Sequence, residues 1–304
     1  MFEAIAQMGL IIIFGVIWRY LKPGGLDAKT LRKALTDTVY YLLLPALVLS
    51  ILWKVELNID SIRIVILAAS GVFAGYFLGR LSCHWCKLPP AATGAALLAA
   101  AFPNATYLGL PVLEATFGPW ARSVAIQYDL FACTPLLFTL GIFIANKFGC
   151  GESTDKYLLA VFRIPAVVAA IIAVVLNLAG ITQPEFVSNL LTTLERGVVP
   201  LMLFSLGLSL QWGHDQWQRL PSVIPIALIQ LVLMPATIFA LGYQLGMDDK
   251  LFAAIVIEAA MPSMVLGIVI CERFNLDSSL YAAAVTTSTA LSLATLPLWF
   301  AFLQ

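Results

Sequence analysis

Ten apolar stretches of membrane-spanning length constrain the fold of this chain more than any other feature. Hydrophobic residues make up 61% of its 304 residues, charged residues make up 11%, and the mean hydropathy is +0.94. Soluble domains carry about 25% charged residues, and one helical crossing takes roughly 20 apolar residues. The sequence therefore predicts an all-α membrane protein with ten transmembrane helices. The predicted spans are residues 2–21, 34–53, 61–81, 91–117, 121–145, 157–179, 188–210, 220–243, 251–271 and 278–303.

Short polar connections join the spans, so we expect one membrane domain, residues 1–304, without a separate soluble part. The first apolar run, Phe2 to Trp18, is predicted to be retained as a span, because its basic residues Arg19 and Lys22 follow it and no cleavage site is evident. The net charge is zero and like charges form no run. Nucleic acid is therefore not an expected partner.

Lysine and arginine are distributed unevenly between the two sets of loops, and the excess is typical of cytoplasmic loops. Of the 17 basic residues, twelve fall in one set and five in the other. We therefore expect a multi-pass protein of the plasma (inner) membrane with both termini outside. The twelve are Arg19, Lys22, Lys29, Arg32, Lys33, Arg80, Lys87, Lys147, Lys156, Arg163, Arg219 and Arg273; the five are Lys54, Arg63, Arg122, Arg196 and Lys250.

Two pairs of segments indicate a weak internal repeat. LLLPALVLSIL (42–52) is similar to GVVPLMLFSLG (197–207), and AFPNATYLGL (101–110) is similar to AMPSMVLGIV (260–269). The order of the two pairs is the same, and the spacing between their members is nearly equal. The pattern predicts two halves of five spans each.

An odd number of spans per half means that the second half enters the membrane from the opposite side. The prediction is therefore an inverted repeat, with the first half at about 1–150 and the second at about 151–304. Many transporters have this plan, with a binding site near the membrane centre between interrupted helices.

Prolines interrupt the fourth and ninth spans, and polar residues accompany them. Pro103 precedes Asn104 and Thr106, and Pro262 precedes Ser263. Proline lacks an amide hydrogen and clashes with the preceding turn, and irregular backbone at this depth lines a cavity or is buried in protein. Freed amides suit an anion and freed carbonyls suit a cation. We expect the two broken helices to cross and form one polar site, with a pair of structural kinks as the alternative.

Two acidic residues fall inside spans near these breaks, and an acid within a membrane suggests a functional site. Glu258 lies one helical turn before Pro262, where its carboxylate can join the freed carbonyls to hold a cation or a proton. Asp129 lies early in the fifth span with Thr134 just over a turn later, and it is expected either in the site or as an interfacial cap. Both are candidates for ion coupling.

Three further acids lie close to span ends. Asp37 and Glu195 are expected at the membrane interface, where end residues can reach water. Glu114 is near the end of the fourth span, where Arg122 is a candidate partner and a functional role is the alternative.

The chain resembles the auxin efflux carrier family, especially its short bacterial members. The resemblance rests on FPNATYLGLPVLEATFG (102–118) followed by a proline-broken ninth span, and on VLNLAG (175–180) and PLMLFSLGLSL (200–210). It implies a scaffold of spans 1, 2, 6 and 7 and a mobile core of spans 3, 4, 5, 8, 9 and 10. It also implies organic-anion substrates bound where helices 4 and 9 cross. The motif asparagine is Asn104, whereas Ser263 stands where plant members usually have asparagine.

A second resemblance concerns the ninth span. EAAMPS (258–263) is similar to the corresponding stretch of the bile acid:sodium symporters, which share this architecture and use the glutamate as a sodium ligand. The resemblance implies that Glu258 is a candidate Na+ ligand.

These observations predict a secondary active transporter of a small organic anion, a carboxylate, coupled to Na+ or H+ and working by an elevator-type motion. The alternatives are a sodium-coupled bile-acid-type symporter and a channel for small anions.

An enzyme is not expected, because catalytic and nucleotide-binding motifs are missing from the sequence. No cofactor apart from Na+ is expected, and the partners are the substrate, the ion, the lipid bilayer and a second copy of the chain as a homodimer. The substrate-site candidates are Asn104, Pro103, Thr106, Pro262 and Ser263, and the ion-site candidates are Glu258 and Asp129.

Overall fold

The computed structural model describes residues 2–150, 161–210 and 214–304, and within these ranges the chain is helical and contains no strand. Lys156 and the predicted start of the sixth span at 157 lie outside the described residues. The principal helices are α1 (Phe2–Leu21), α2 (Ala28–Leu52), α3 (Ile59–Trp85), α4 (Pro90–Ala101), α5 (Leu110–Phe117), α6 (Pro119–Phe148), α7 (Pro165–Leu178), α8 (Glu185–Ser209), α9 (Arg219–Leu245), α10 (Asp249–Ala259), α11 (Gly267–Arg273) and α12 (Ser278–Leu303).

Six of the described helices, α2, α3, α6, α8, α9 and α12, are long and apolar enough to cross a membrane. The predicted all-α membrane fold is thus confirmed at this level. Large apolar side chains remain exposed along the outer faces of these helices, for example Ile66, Phe73 and Phe77 on α3. A lipid-facing surface accounts for this exposure, because hydrocarbon is as apolar as these side chains.

Polar residues at the starts of the helices set the helix boundaries. Asp27, Asn58, Asp248 and Asp277 each accept hydrogen bonds from backbone amides of the first turn of α2, α3, α10 and α12, at 2.9–3.1 Å. Side-chain oxygens at this position satisfy amides that have no partner within the helix. The short polar connections of the sequence therefore act as helix caps.

The helices pack in two groups. The first group consists of α1, α2, α7 and α8, in which α1 packs on α8 and α2 packs on α7 and α8. The second consists of α3, α4, α5, α6, α9, α10, α11 and α12. Within it, α4 contacts α3, α6 and α12, and α9 contacts α3, α10 and α12, while α5 contacts α6 and α10, and α11 contacts α12. Glycines allow close helix contacts, as at Gly15 and Gly207 in the first group, where a Cβ added to Gly15 would lie 2.9 Å from the Cα of Gly207.

An ion-pair cluster links the two groups. Arg122, at the start of α6, contacts Glu195 of α8 at 3.2 Å and Glu114 of α5 at 3.7 Å. The predicted pairing of Glu114 with Arg122 is confirmed. Glu195, expected at the membrane interface, is buried and pairs with Arg122. A contact between residues 73 positions apart depends on the packing of α6 against α8, and the local sequence does not contain that information.

We expect Arg122→Gln to lower the thermal stability of the protein by several degrees. Removing the guanidinium leaves Glu195 without its positive partner at a site only 10% exposed, and an uncompensated, partly buried charge costs on the order of 2 kcal/mol. Arg63→Gln is the matched control, because its pair with Asp60 lies within one helix and is 29–36% exposed. Thermal unfolding of both purified variants tests this, and equal shifts would show that the cluster does not hold the groups together.

Candidate functional site

The two proline-containing breaks lie side by side and hydrogen-bond to each other. Helix α4 ends at Ala101 and α10 ends at Ala259, and each chain continues through a short non-helical stretch. Pro103 and Ser263 form an isolated antiparallel bridge in these stretches. Two backbone hydrogen bonds flank it: the Asn104 amide donates to the Pro262 carbonyl at 2.7 Å, and the Met264 amide donates to the Phe102 carbonyl at 3.0 Å.

Side chains complete the joint between the two breaks. The Ser263 hydroxyl donates to the Ala99 carbonyl at 2.7 Å, and the Ser263 amide donates to the Ser288 hydroxyl of α12 at 3.2 Å. Buried backbone groups cost free energy when left unpaired. Amides of each break donate hydrogen bonds to carbonyls of the other break. The irregular backbone is stable at this depth because these polar groups are paired.

Two of the carbonyls that precede Pro262 have hydrogen-bond partners and are therefore not freed by the break. The Met261 carbonyl accepts from the Gln230 side chain at 3.0 Å, and the Glu258 carbonyl accepts from the Met261 amide at 3.3 Å. The amides of Ser263 and Met264, four residues after Ala259 and Ala260, donate to Ser288 and Phe102 and so do not continue the helical hydrogen bonds to the Ala259 and Ala260 carbonyls.

A cavity of about 60 Å³ lies beside the joint, between the two helix groups. The second group contributes its polar side chains, and the first group contributes a mostly apolar wall that includes Leu44, Ile164 and Ala166. The volume is several times the space that one water molecule needs. The lining residues are Tyr40, Leu44, Asn104, Ala105, Thr106, Tyr107, Asp129, Leu130, Thr134, Phe138, Ile164, Ala166, Met264, Val265 and Leu266.

Asn104 presents a free hydrogen-bond donor in this cavity. The residue is 2% exposed, and its Nδ2 has no hydrogen-bond partner among the described residues. Its backbone is fully engaged, since the carbonyl accepts from the amides of Leu108 and Gly109 at 3.3 and 3.0 Å. The break thus fixes the position of an amide group whose N–H can donate to an anionic oxygen.

Asp129 accepts hydrogen bonds on both of its carboxylate oxygens. The Thr106 hydroxyl donates to Oδ2, and the Thr134 hydroxyl donates to Oδ1 at 2.9 Å. Asp129 is 9% exposed and lines the cavity within the 30-residue helix α6, so the structure does not place it as an interfacial cap. Thr106 connects it to the fourth-span motif.

Glu258 is completely buried, and neither of its carboxylate oxygens has a hydrogen-bond partner within the described part of the chain. The carboxylate lies directly against Gly109, where an added Cβ would overlap both oxygens. A buried, unpartnered carboxylate is costly unless it binds a proton or a cation. Glu258 is therefore a chemically competent site for either.

The remaining site candidates have a different environment. Pro103, Pro262 and Ser263 do not line the cavity, and they form the joint between the breaks. Sequence reasoning missed Gln230 and the contact of Gly109 with Glu258. Gln230 is a polar residue within an apolar span, a signal that could have identified it, whereas the local sequence around Gly109 does not indicate its contact with Glu258.

A multi-pass helical fold with a polar cavity between two helix groups defines an integral membrane transport protein. The chain belongs to the membrane transport protein family, the family of the auxin efflux carriers: its family model matches residues 1–156 and again 150–300. The resemblance stated from the sequence is confirmed. Membership of a transporter family also argues against an enzymatic function.

Three curated relatives cover most of the chain, and all are described as uncharacterised transporters. One from Methanothermobacter thermautotrophicus is 29% identical over 98% of this chain and 96% of its own length. One from Methanocaldococcus jannaschii is 26% identical over 95% and 96%. One from Escherichia coli K12 is 22% identical over 80% and 79%. The similarity of the first two extends along nearly the whole chain.

Proposed function

We propose that this protein is a secondary active transporter of a small organic anion, a carboxylate, and that the substrate binds in the cavity beside the paired breaks. The observation that carries the proposal is the unpartnered, buried Nδ2 of Asn104 in that cavity. A donor held in place by the backbone selects an anionic oxygen without requiring a buried positive charge. Pro103, Pro262 and Ser263 hold the backbone of the two breaks in place beside the cavity. Thr106 orients Asp129 through its hydrogen bond.

An elevator-type motion fits the distribution of polar groups around the cavity. All of the candidate site residues belong to the second helix group, whereas the first group supplies Leu44, Ile164, Ala166 and one residue with a hydroxyl group, Tyr40. A core that carries the whole site along an apolar wall breaks few hydrogen bonds as it moves. We propose that α1, α2, α7 and α8 form the scaffold, and that the other helices form the mobile core.

Cation coupling is assigned to Glu258. Its carboxylate and the carbonyls of Ala259 and Ala260 supply oxygen ligands of the kind that hard cations prefer, and the carboxylate alone could hold a proton. Na+ or H+ bound there would offset the charge of the substrate anion. Asp129, already satisfied by two hydroxyl groups, is the second candidate.

We propose ten crossings in two inverted repeats, with both termini outside the plasma membrane. A cysteine at position 27, between α1 and α2, should then react with impermeant thiol reagents from the cytoplasm. A cysteine at position 184, between α7 and α8, should react from outside. Labelling of intact cells and inverted vesicles measures this, and reaction of both positions from one face would disprove the inverted repeat.

Uptake of labelled carboxylates into proteoliposomes tests the transport function itself. A carrier predicts saturable uptake and counterflow, in which internal unlabelled substrate accelerates entry of the label. A channel predicts neither saturation nor counterflow. Protein-free liposomes and liposomes with Asn104→Ala protein are the controls, and equal uptake by all three would refute the proposal.

A further inference from the structure

A second cavity, of about 480 Å³, lies between the two helix groups on the side of the α1–α2 connection. The first group contributes the end of α1, the start of α2 and the end of α8, and the second group contributes α11 and the start of α12. Its lining residues are Arg19, Lys22, Asp27, Ala28, Lys29, Arg32, Leu208, Ser209, Ile268, Glu272, Ser278, Ser279, Ala282, Val285 and Thr286. We call it the basic vestibule.

The basic vestibule carries a surplus of positive charge, with four basic residues against Asp27 and Glu272. The Asp27 carboxylate is also engaged, because it caps α2 by accepting from the Lys29 amide at 3.0 Å. The ion pairs found among the described residues involve Arg63, Arg122 and Arg219. Among these ion pairs of the described residues, none includes Arg19, Lys22, Lys29 or Arg32.

Arg19 is held at the vestibule wall by backbone groups. Its guanidinium donates to the carbonyls of Leu210 at 2.8 Å and Leu208 at 3.4 Å at the end of α8. Carbonyl groups fix its position without cancelling its charge. Lys29 is exposed and Arg32 is partly exposed in the same cavity.

The inner end of the vestibule points toward the paired breaks. Val285 and Thr286 of α12 line it, and Ser288 of the same helix accepts the amide hydrogen bond of Ser263. Leu266, in the segment before α11, lines the smaller cavity, and Ile268, two residues further on in α11, lines the vestibule. An ion leaving the vestibule inward therefore reaches the neighbourhood of the proposed binding site.

We propose that the basic vestibule concentrates the anionic substrate on this face and favours anions with two negative charges over those with one. The inference rests on the proposed function, because it assumes that the transported ion is an anion. A cleft of one charge sign raises the local concentration and association rate of the opposite ion by roughly 10- to 1,000-fold, and salt weakens the effect. Substrate loading is thereby more efficient from this face than from the opposite one.

The test compares two double variants that remove the same charge. Lys29→Gln/Arg32→Gln abolishes the surplus in the vestibule, and Lys33→Gln/Lys87→Gln removes two basic residues that do not line it. Initial rates of dicarboxylate transport are measured in right-side-out and inverted membrane vesicles at low and high salt. We expect the first variant to raise KM about tenfold at low salt, only from the vestibule face, and to lose the salt dependence of the wild type. Glu272→Gln should lower KM from that face.

Three results would overturn the inference. The two double variants could behave alike, or KM could rise equally from both faces. The effect could also appear only in proteoliposomes that contain anionic lipids, which would assign the vestibule to a lipid headgroup instead of the substrate. If the wild type shows no saturable carboxylate transport from either face, the proposed function fails and the vestibule role fails with it. Transport by the wild type with indistinguishable variants overturns the vestibule role alone.

Discussion

Asn104→Ala is expected to weaken substrate binding by roughly 10- to 100-fold, because a hydrogen bond to a charged group contributes about 1.5–3 kcal/mol. The fold should be retained, since the structural hydrogen bonds of Asn104 are made by its backbone amide and carbonyl. The side-chain Nδ2 has no structural partner among the described residues, so its removal leaves no buried group unsatisfied. Binding of carboxylates to the purified variant, followed by ligand-induced thermal stabilisation, measures the effect.

Asn189→Ala is the matched control, because Asn189 is exposed on α8 and far along the chain from both breaks. It should bind carboxylates as the wild type does. Wild-type affinity in Asn104→Ala would place the substrate site elsewhere. Similar unfolding temperatures for the two variants without ligand would establish that any loss of binding is not a loss of folding.

Glu258→Gln is expected to abolish uphill transport while leaving the protein folded. The amide has nearly the same shape as the carboxylate, so it fits against Gly109, but it carries no charge to bind Na+ and takes up no proton. A tenfold gradient of the coupled ion is worth about 1.4 kcal/mol, which supports roughly tenfold accumulation of the substrate when one ion moves with it. Uptake into proteoliposomes with imposed Na+ or pH gradients should fall from this range to simple equilibration.

Two further variants make this result specific. Glu185→Gln removes an acidic residue in the exposed first turn of α8 and should leave accumulation unchanged. Asp129→Asn tests the second candidate. Undiminished gradient-driven accumulation in Glu258→Gln, with a loss in Asp129→Asn, would move the coupling site to Asp129.

The sequence was most informative where structure depends on local chemistry. Apolar length predicted the helices, and the two prolines predicted interruptions that fall at residues 102–104 and 260–266. Asp and Asn residues in the connections were available as helix caps. Each of these features depends on a few neighbouring residues, so it can be predicted without knowledge of the tertiary structure.

Specific contacts between segments that lie far apart along the chain could not be predicted from the sequence. Sequence reasoning predicted that the two breaks meet but not that their backbones hydrogen-bond to each other. That pairing depends on the relative position of residues about 160 apart. The contact of Glu258 with Gly109 and the pairing of Arg122 with Glu195 are of the same kind. The surroundings of Glu258 therefore required the fold, although the residue itself was recognised as a candidate from its place in the span.

Coupling requires that cation and anion bind more tightly together than apart. In the proposed site, Glu258 lies against the fourth-span break through Gly109, and Asn104 belongs to the same break. A cation at Glu258 lowers the electrostatic cost of a nearby carboxylate in a region of low dielectric constant. Thermodynamic linkage then requires that each ligand raises the affinity of the other by the same factor.

Equilibrium binding of a dicarboxylate to the purified wild type, measured across Na+ concentrations and at two pH values, tests this account most directly. We predict that its affinity rises with Na+ or with protons by about tenfold or more, which corresponds to a coupling free energy of roughly 1.4 kcal/mol. The same dependence should vanish in Glu258→Gln. A dicarboxylate affinity that is unchanged by both cations in the wild type would contradict a coupled site at the paired breaks.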